Sequence, residues 1–157
     1  MYRLCICLTV ITVMIGGCQP KSSQSSNEIT ESVNSLLNDY QAFMSSGNVD
    51  SLVNLYSNDP RFHWVEDGKT AYSSPKEIEK GLKGLQRIYS QSHLELSNTK
   101  VTPLPPDYAL ITTHFKQSLA DSTGIGFSFS GIMTITAVKE HSGWKFLIGH
   151  VSSPKQR

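Results

Sequence analysis

After Cys18 this 157-residue chain contains no cysteine. Whatever folds beyond that position has no disulfide, no thiol nucleophile and no cysteine-based metal site. Charge of a single sign is scarce as well. Fourteen Lys and Arg stand against thirteen Asp and Glu, and setting Arg3 aside leaves the two signs equal. With no basic block, nucleic acid is excluded as an expected partner. Long apolar runs are missing too. The run from Leu4 to Ile15 is about a dozen residues, short of the roughly 20 that a spanning helix needs. There is no Gly-x-Ser-x-Gly elbow, no Gly-rich phosphate loop and no His pair at i, i+4 spacing, so the sequence calls for no cofactor and no metal.

What is present begins with that short apolar run. Arg3 precedes it, and Ile15-Gly16-Gly17-Cys18 follows it. A basic start, an apolar stretch, two small residues and a cysteine, in that order, resemble the bacterial lipoprotein signal. The resemblance implies a signal peptide over 1–17, cleavage before Cys18, and acylation of Cys18 by palmitate-like chains. Each buried CH₂ adds about 0.8 kcal/mol, and two or three chains together make an anchor effectively permanent. The expected location is the bacterial cell envelope, attached to the membrane through lipid. Gln19 replaces the Asp that marks inner-membrane retention in Gram-negative lipoproteins, which favours the periplasmic face of the outer membrane in such a host. Residues 18–27 read as the lipidated cysteine and a polar, flexible tether, 28–154 as one domain, and 155–157 as a tail.

Helical periodicity dominates the first half of the domain. Val33, Leu36, Leu37, Tyr40, Phe43 and Met44 share one face of a helix expected over Glu28 to Ser46, with Asn27 or Thr30 as its cap and Gly47 ending it. Asn48 caps a second helix whose face is Val49, Leu52, Val53 and Tyr56. Phe62 to Val65, the Asp67-Gly68 turn and Lys69 to Tyr72 form a hairpin. Ser74-Pro75-Lys76-Glu77 opens a third helix with Gly81 and Gly84 inside it. From there the period becomes two. Strands are expected over His93 to Val101 (stopped by Pro103, Pro105 and Pro106), Tyr108 to Leu119, Ile125 to Lys139 and Trp144 to Ser152. Short connections make these an antiparallel meander, and the whole an α+β domain.

Four local patterns carry a family resemblance: Tyr40 to Asp50 at the step between the first helices, Leu55-Tyr56-Ser57-Asn58-Asp59, Tyr108-Ala109-Leu110-Ile111, and above all Gly143 to Ser152, Gly-Trp-Lys-Phe-Leu-Ile-Gly-His-Val-Ser. In this order they resemble the NTF2-like superfamily, with its SnoaL-like and ketosteroid-isomerase-like members. The resemblance implies a cone: three N-terminal helices packed in a strongly curved antiparallel sheet, with an apolar pocket at the open end. It does not imply a reaction, because this fold hosts cyclases, isomerases, dehydratases, carriers and assembly domains.

A ketosteroid-isomerase-type site needs a carboxylate base, a tyrosine and a protonated aspartic acid. Tyr40 matches the first-helix tyrosine. The base position falls on Trp64, and no Asp lies on the strand from Ile125 to Lys139. Glu66, two residues on, reads as a solvated hairpin-end charge. The chain therefore leans away from catalysis. Period two puts His150 and Ser152 on one face with Trp144 and Phe146, as polar groups in an apolar pocket. The expected ligand-binding set is Tyr40, Trp64, Phe115, Phe127, Phe129, His150 and Ser152, for a small apolar molecule. If the protein is an enzyme, His150 is the base and Tyr40 a donor. Ser128, Ser130, Ile132, Thr134 and Thr136 on the outer sheet face suit a homodimer or an envelope assembly contact.

Overall fold

The computed structural model describes residues 24–154. The expected signal peptide, the acylated Cys18 and the tail 155–157 lie outside the described residues. Helix α1 runs Ser26–Ser46, two residues earlier than expected, so Ser26 and Asn27 belong to the helix and not to the tether. Its cap is Ser25 in place of Asn27 or Thr30. Glu28 N–H donates to Ser25 Oγ at 3.3 Å, and Ser25 N–H donates to Glu28 Oε2 at 2.7 Å, a reciprocal capping box. Gly47, at φ 68°, takes the left-handed conformation that ends the helix.

The expectation of three helices packed in the sheet is met only in part. Helix α2, Val49–Val53, is five residues long, hardly more than one turn. Tyr56 is not on its face; it leaves the helix and bridges to Phe146 of the sheet. The helical cover therefore comes from α1 and from α3, Pro75–Gln86, whose cap is Ser74 with Pro at the first position. Between α2 and α3 sit β1, His63–Glu66, and β2, Lys69–Tyr72.

The sheet is six-stranded and curved, in the order β2-β1-β6-β5-β4-β3. β3 (Gln91–Leu104), β4 (Tyr108–Ala120), β5 (Gly126–Glu140) and β6 (Gly143–Ser152) form the expected antiparallel meander. β1 adds to β6 in parallel, a pairing that local pattern does not announce. β3 does not stop before Pro103; it carries Pro103 opposite Ala109 and continues to Leu104. Pro is tolerated there because β3 is the edge strand and one side of it needs no donors. Helix α1 blunts part of that free edge. Leu94 N–H donates to Ser45 Oγ at 2.9 Å, and Leu96 N–H donates to Gln41 Oε1 at 3.2 Å.

The core lies between α1 and the inner sheet face. Ile29, Val33, Ile111, Ile135 and Phe146 are fully buried, and among the described residues every buried apolar side chain falls between Ile29 and Leu147. A segment starting at Lys21 therefore keeps the whole core together with the Ser25 cap.

Candidate functional site

Along its N-terminal half α1 packs tightly on the sheet, with Ile29 and Val33 fully buried. Toward the C-terminal half of α1 the two layers part and leave a cavity of about 400 Å³. Phe43 and Met44 of α1, Leu82 of α3, Leu94 of β3 and Met133 of β5 supply much of its apolar wall. Gln86 of α3 donates to the Gly47 carbonyl and so fixes the end of α3 against the end of α1 beside this opening.

Tyr56 is the hub of the cavity's inner end. Its ring meets Phe62, Trp64 and Phe146 edge-on at centroid distances of 5.9, 5.5 and 5.7 Å, and Tyr40 meets Phe146 at 5.4 Å. Burial pushes the Tyr40 hydroxyl up to about 12 and the Tyr56 hydroxyl well above its ordinary range, and the two hydroxyls couple to each other. Both are hydrogen-bond donors at neutral pH. Glu66 stands at the rim with much of its surface exposed, but the apolar surroundings of its carboxyl raise its pKa. The neighbouring Asp67 charge acts in the same direction and the Trp64 side chain opposes it. Tyr72, half-buried, completes this polar end.

Tyr40, Trp64, Phe115, Phe127 and Phe129 all line this one cavity. Phe115 and Phe129 meet edge-on at 5.8 Å, Phe129 stacks on Phe127, and Phe127 reaches Tyr89 beyond the end of α3 at 5.5 Å. Phe127 stands at the mouth, 49% exposed. The expectation for His150 and Ser152 is wrong: both are exposed on the outer face. The cause is a bulge. Thr136 pairs with Ile148 and Ala137 with Phe146, so Leu147 is an extra residue in β6. One extra residue reverses the facing of all that follows. Phe146 points inward, and after the bulge Gly149 and Val151 take the inward places. His150 therefore pairs laterally with Val65 and Thr134, away from the cavity.

Glu66 is not the freely solvated charge expected from its place beside a turn, since it lines the cavity rim. Sequence reasoning also passed over Tyr56, Tyr72, Ser92 and Gln117. Gln117 was accessible to it: it is in phase with Ile111, Thr113 and Phe115 along β4, all inward and buried. Gly149 has no side chain because Trp64 occupies its place; a Cβ there would lie 2.1 Å from the indole ring. Among the described residues, no three His, Cys, Asp or Glu stand close enough to hold a metal ion.

A curved sheet closed by helices at one end and open over an apolar cavity at the other defines a small α+β domain built around a pocket. The sequence matches the SnoaL-like domain over residues 33–156, and the chain belongs to that family; its structural neighbours include proteins of the NTF2-like superfamily. No curated protein matches the sequence. Among solved structures, an NTF2-like superfamily protein from Salmonella enterica serovar Typhimurium superposes with a TM-score of 0.72 at 13% identity, covering 83% of this chain and 94% of its own. A candidate scytalone dehydratase from Novosphingobium aromaticivorans gives 0.73 at 14% identity, covering 80% and 84%. A candidate dehydratase of the NTF2-like family from Streptomyces avermitilis gives 0.71 at 16% identity, covering 83% and 99%. At these identities the likeness establishes the fold.

Proposed function

We propose that this protein is a lipid-anchored envelope protein that binds a small, largely apolar molecule in the cone without transforming it. The observation that carries the reading is the aromatic-walled cavity of about 400 Å³, a size suited to a molecule of a few rings. Its inner end offers tyrosine hydroxyls for orientation. The histidine that a catalytic reading relied on, His150, is on the other side of the sheet. The test is native mass spectrometry of the segment 21–157, purified without denaturation. Extra mass from a co-purified small molecule is the expected result. A cavity that stays empty after exposure to an envelope extract would overturn the proposal.

One observation favours a second reading, turnover. The Glu66 carboxyl, held above its ordinary pKa, shares the cavity with the Tyr40 and Tyr56 donors. In an isomerase or dehydratase, Glu66 rather than His150 would be the base. That reading requires the bound material to appear as two isomers, or as a pair differing by one water, with Glu66→Gln leaving only one member.

Assembly rests on the outer face, where Leu110 and Ile132 are 37% and 43% exposed among Ser and Thr side chains. A homodimer through this face predicts a concentration-dependent mass in sedimentation equilibrium that Ile132→Lys abolishes.

A further inference from the structure

This inference rests on the cavity being a binding site and concerns what fills it. We infer that the occupant carries a hydrogen-bond donor and no negative charge, and that the side-chain oxygen of Gln117 holds that donor.

The orientation of Gln117 follows from its neighbours. Ser92 Oγ donates its one proton to the Met44 carbonyl at 2.7 Å. Its 2.9 Å contact with Gln117 Nε2 is therefore an N–H of Gln117 donating to Ser92. That settles which end of the carboxamide faces which way. The nitrogen is tied to the α1–β3 junction and Oε1 is left over. Among the described residues nothing donates to Oε1, although Gln117 is only 4% exposed and lines the cavity. The oxygen is not sealed in the core but reached from the cavity, so a donor on whatever enters the cavity, a ligand hydroxyl or amine, can satisfy it.

Charge narrows the class further. Among the described residues no Lys, Arg or His lines the cavity, and the charged ones that do are Glu66 and Asp67. Asp67 is engaged, accepting from Ser153 N–H at 2.8 Å. A carboxylate or phosphate ligand would lose its hydration, find no counter-charge and meet Glu66 at the rim. Fatty acids and acidic metabolites are thereby disfavoured. Neutral or amine-bearing aromatic and alicyclic compounds fit. An acceptor elsewhere on such a molecule can take a hydrogen bond from the Tyr40 hydroxyl, the Tyr56 hydroxyl being engaged with Tyr40.

The test uses three compounds of matched shape, 1-naphthylmethanol, 1-methylnaphthalene and 1-naphthoate, titrated calorimetrically into the segment 21–157. The alcohol should bind about tenfold tighter than methylnaphthalene, the worth of one good buried hydrogen bond. Naphthoate should bind weakest. Gln117→Met should abolish the alcohol's advantage, bringing the ratio of the alcohol and methylnaphthalene affinities to about one, whatever the change in methylnaphthalene binding itself. Ser92→Ala, which releases the carboxamide to turn, should lower the alcohol's advantage in part. Naphthoate binding as tightly as the alcohol, or an advantage of the alcohol that survives Gln117→Met, would overturn the inference while the cavity reading stands. Failure of all three compounds to bind would overturn the cavity reading and this inference with it.

Discussion

Gly149 and Trp64 are one feature divided between two strands. The indole lies where any side chain at 149 would have to be, so Gly149→Ala forces the ring or the β1–β6 pairing to move. Overpacking of this kind costs about 1–3 kcal/mol, to be read as a lower urea midpoint. His150→Ala, one residue on and exposed, should change stability by no more than about 0.5 kcal/mol and leave ligand affinity unchanged. Glu66 predicts a pH effect. Its folded pKa lies above its ordinary 4.5, so the folded state holds the proton more tightly than the unfolded chain. The stability this lends is full below pH 4.5 and is lost as pH rises through the folded value. Glu66→Gln should remove that decline and leave the protein more stable than the parent at neutral pH, as seen by urea titrations across that range.

At the scale of elements, caps and bulges decide more than propensity does. Ser25→Ala removes the side-chain acceptor of the α1 capping box and should cost about 1 kcal/mol in chemical denaturation. Most elements were legible in the sequence because their signals are local. The apolar face of α1, the Ser74-Pro75 start of α3 and the alternation of β4 each lie within a few turns or residues of chain. Leu147 was not legible. A bulge is set by what lies on both sides of the strand, and β6 has β5 on one side and the Tyr56 segment and β1 on the other. Strict alternation along β6 therefore assigned Trp144 and Phe146 correctly to the core and carried His150 and Ser152 to the wrong face. Deleting Leu147 should restore simple alternation. It keeps Phe146 inward and His150 outward, because Ala137 and Thr136 already pair with Phe146 and Ile148, and loss of the buried Leu147 side chain should lower the urea midpoint while ligand affinity is retained.

For the whole molecule, order of elements made the fold readable, and the aromatic half of the cavity came with it because core and pocket share one surface. The polar half was not readable. Tyr56, Glu66, Tyr72 and Gln117 come from four different elements or connections, and only the parallel docking of β1 on β6 and the closure of α3 bring them together. The proposed anchor is tested separately. Cys18→Ser should abolish labelling by an alkyne-bearing palmitate and release the protein from the membrane fraction.

Helix α1 also fixes a direction. Its 21 residues make a rod of about 30 Å, entered at Ser26 and finishing at Phe43, Met44 and Gly47 beside the cavity mouth. The proposed attachment and the opening are thus at opposite poles of the helix. With the proposed lipid on Cys18 in a bilayer, the domain would stand like a cup held by its foot, and a molecule bound in the cavity would be exchanged with the aqueous space or with whatever faces that membrane, not with the lipids beneath it.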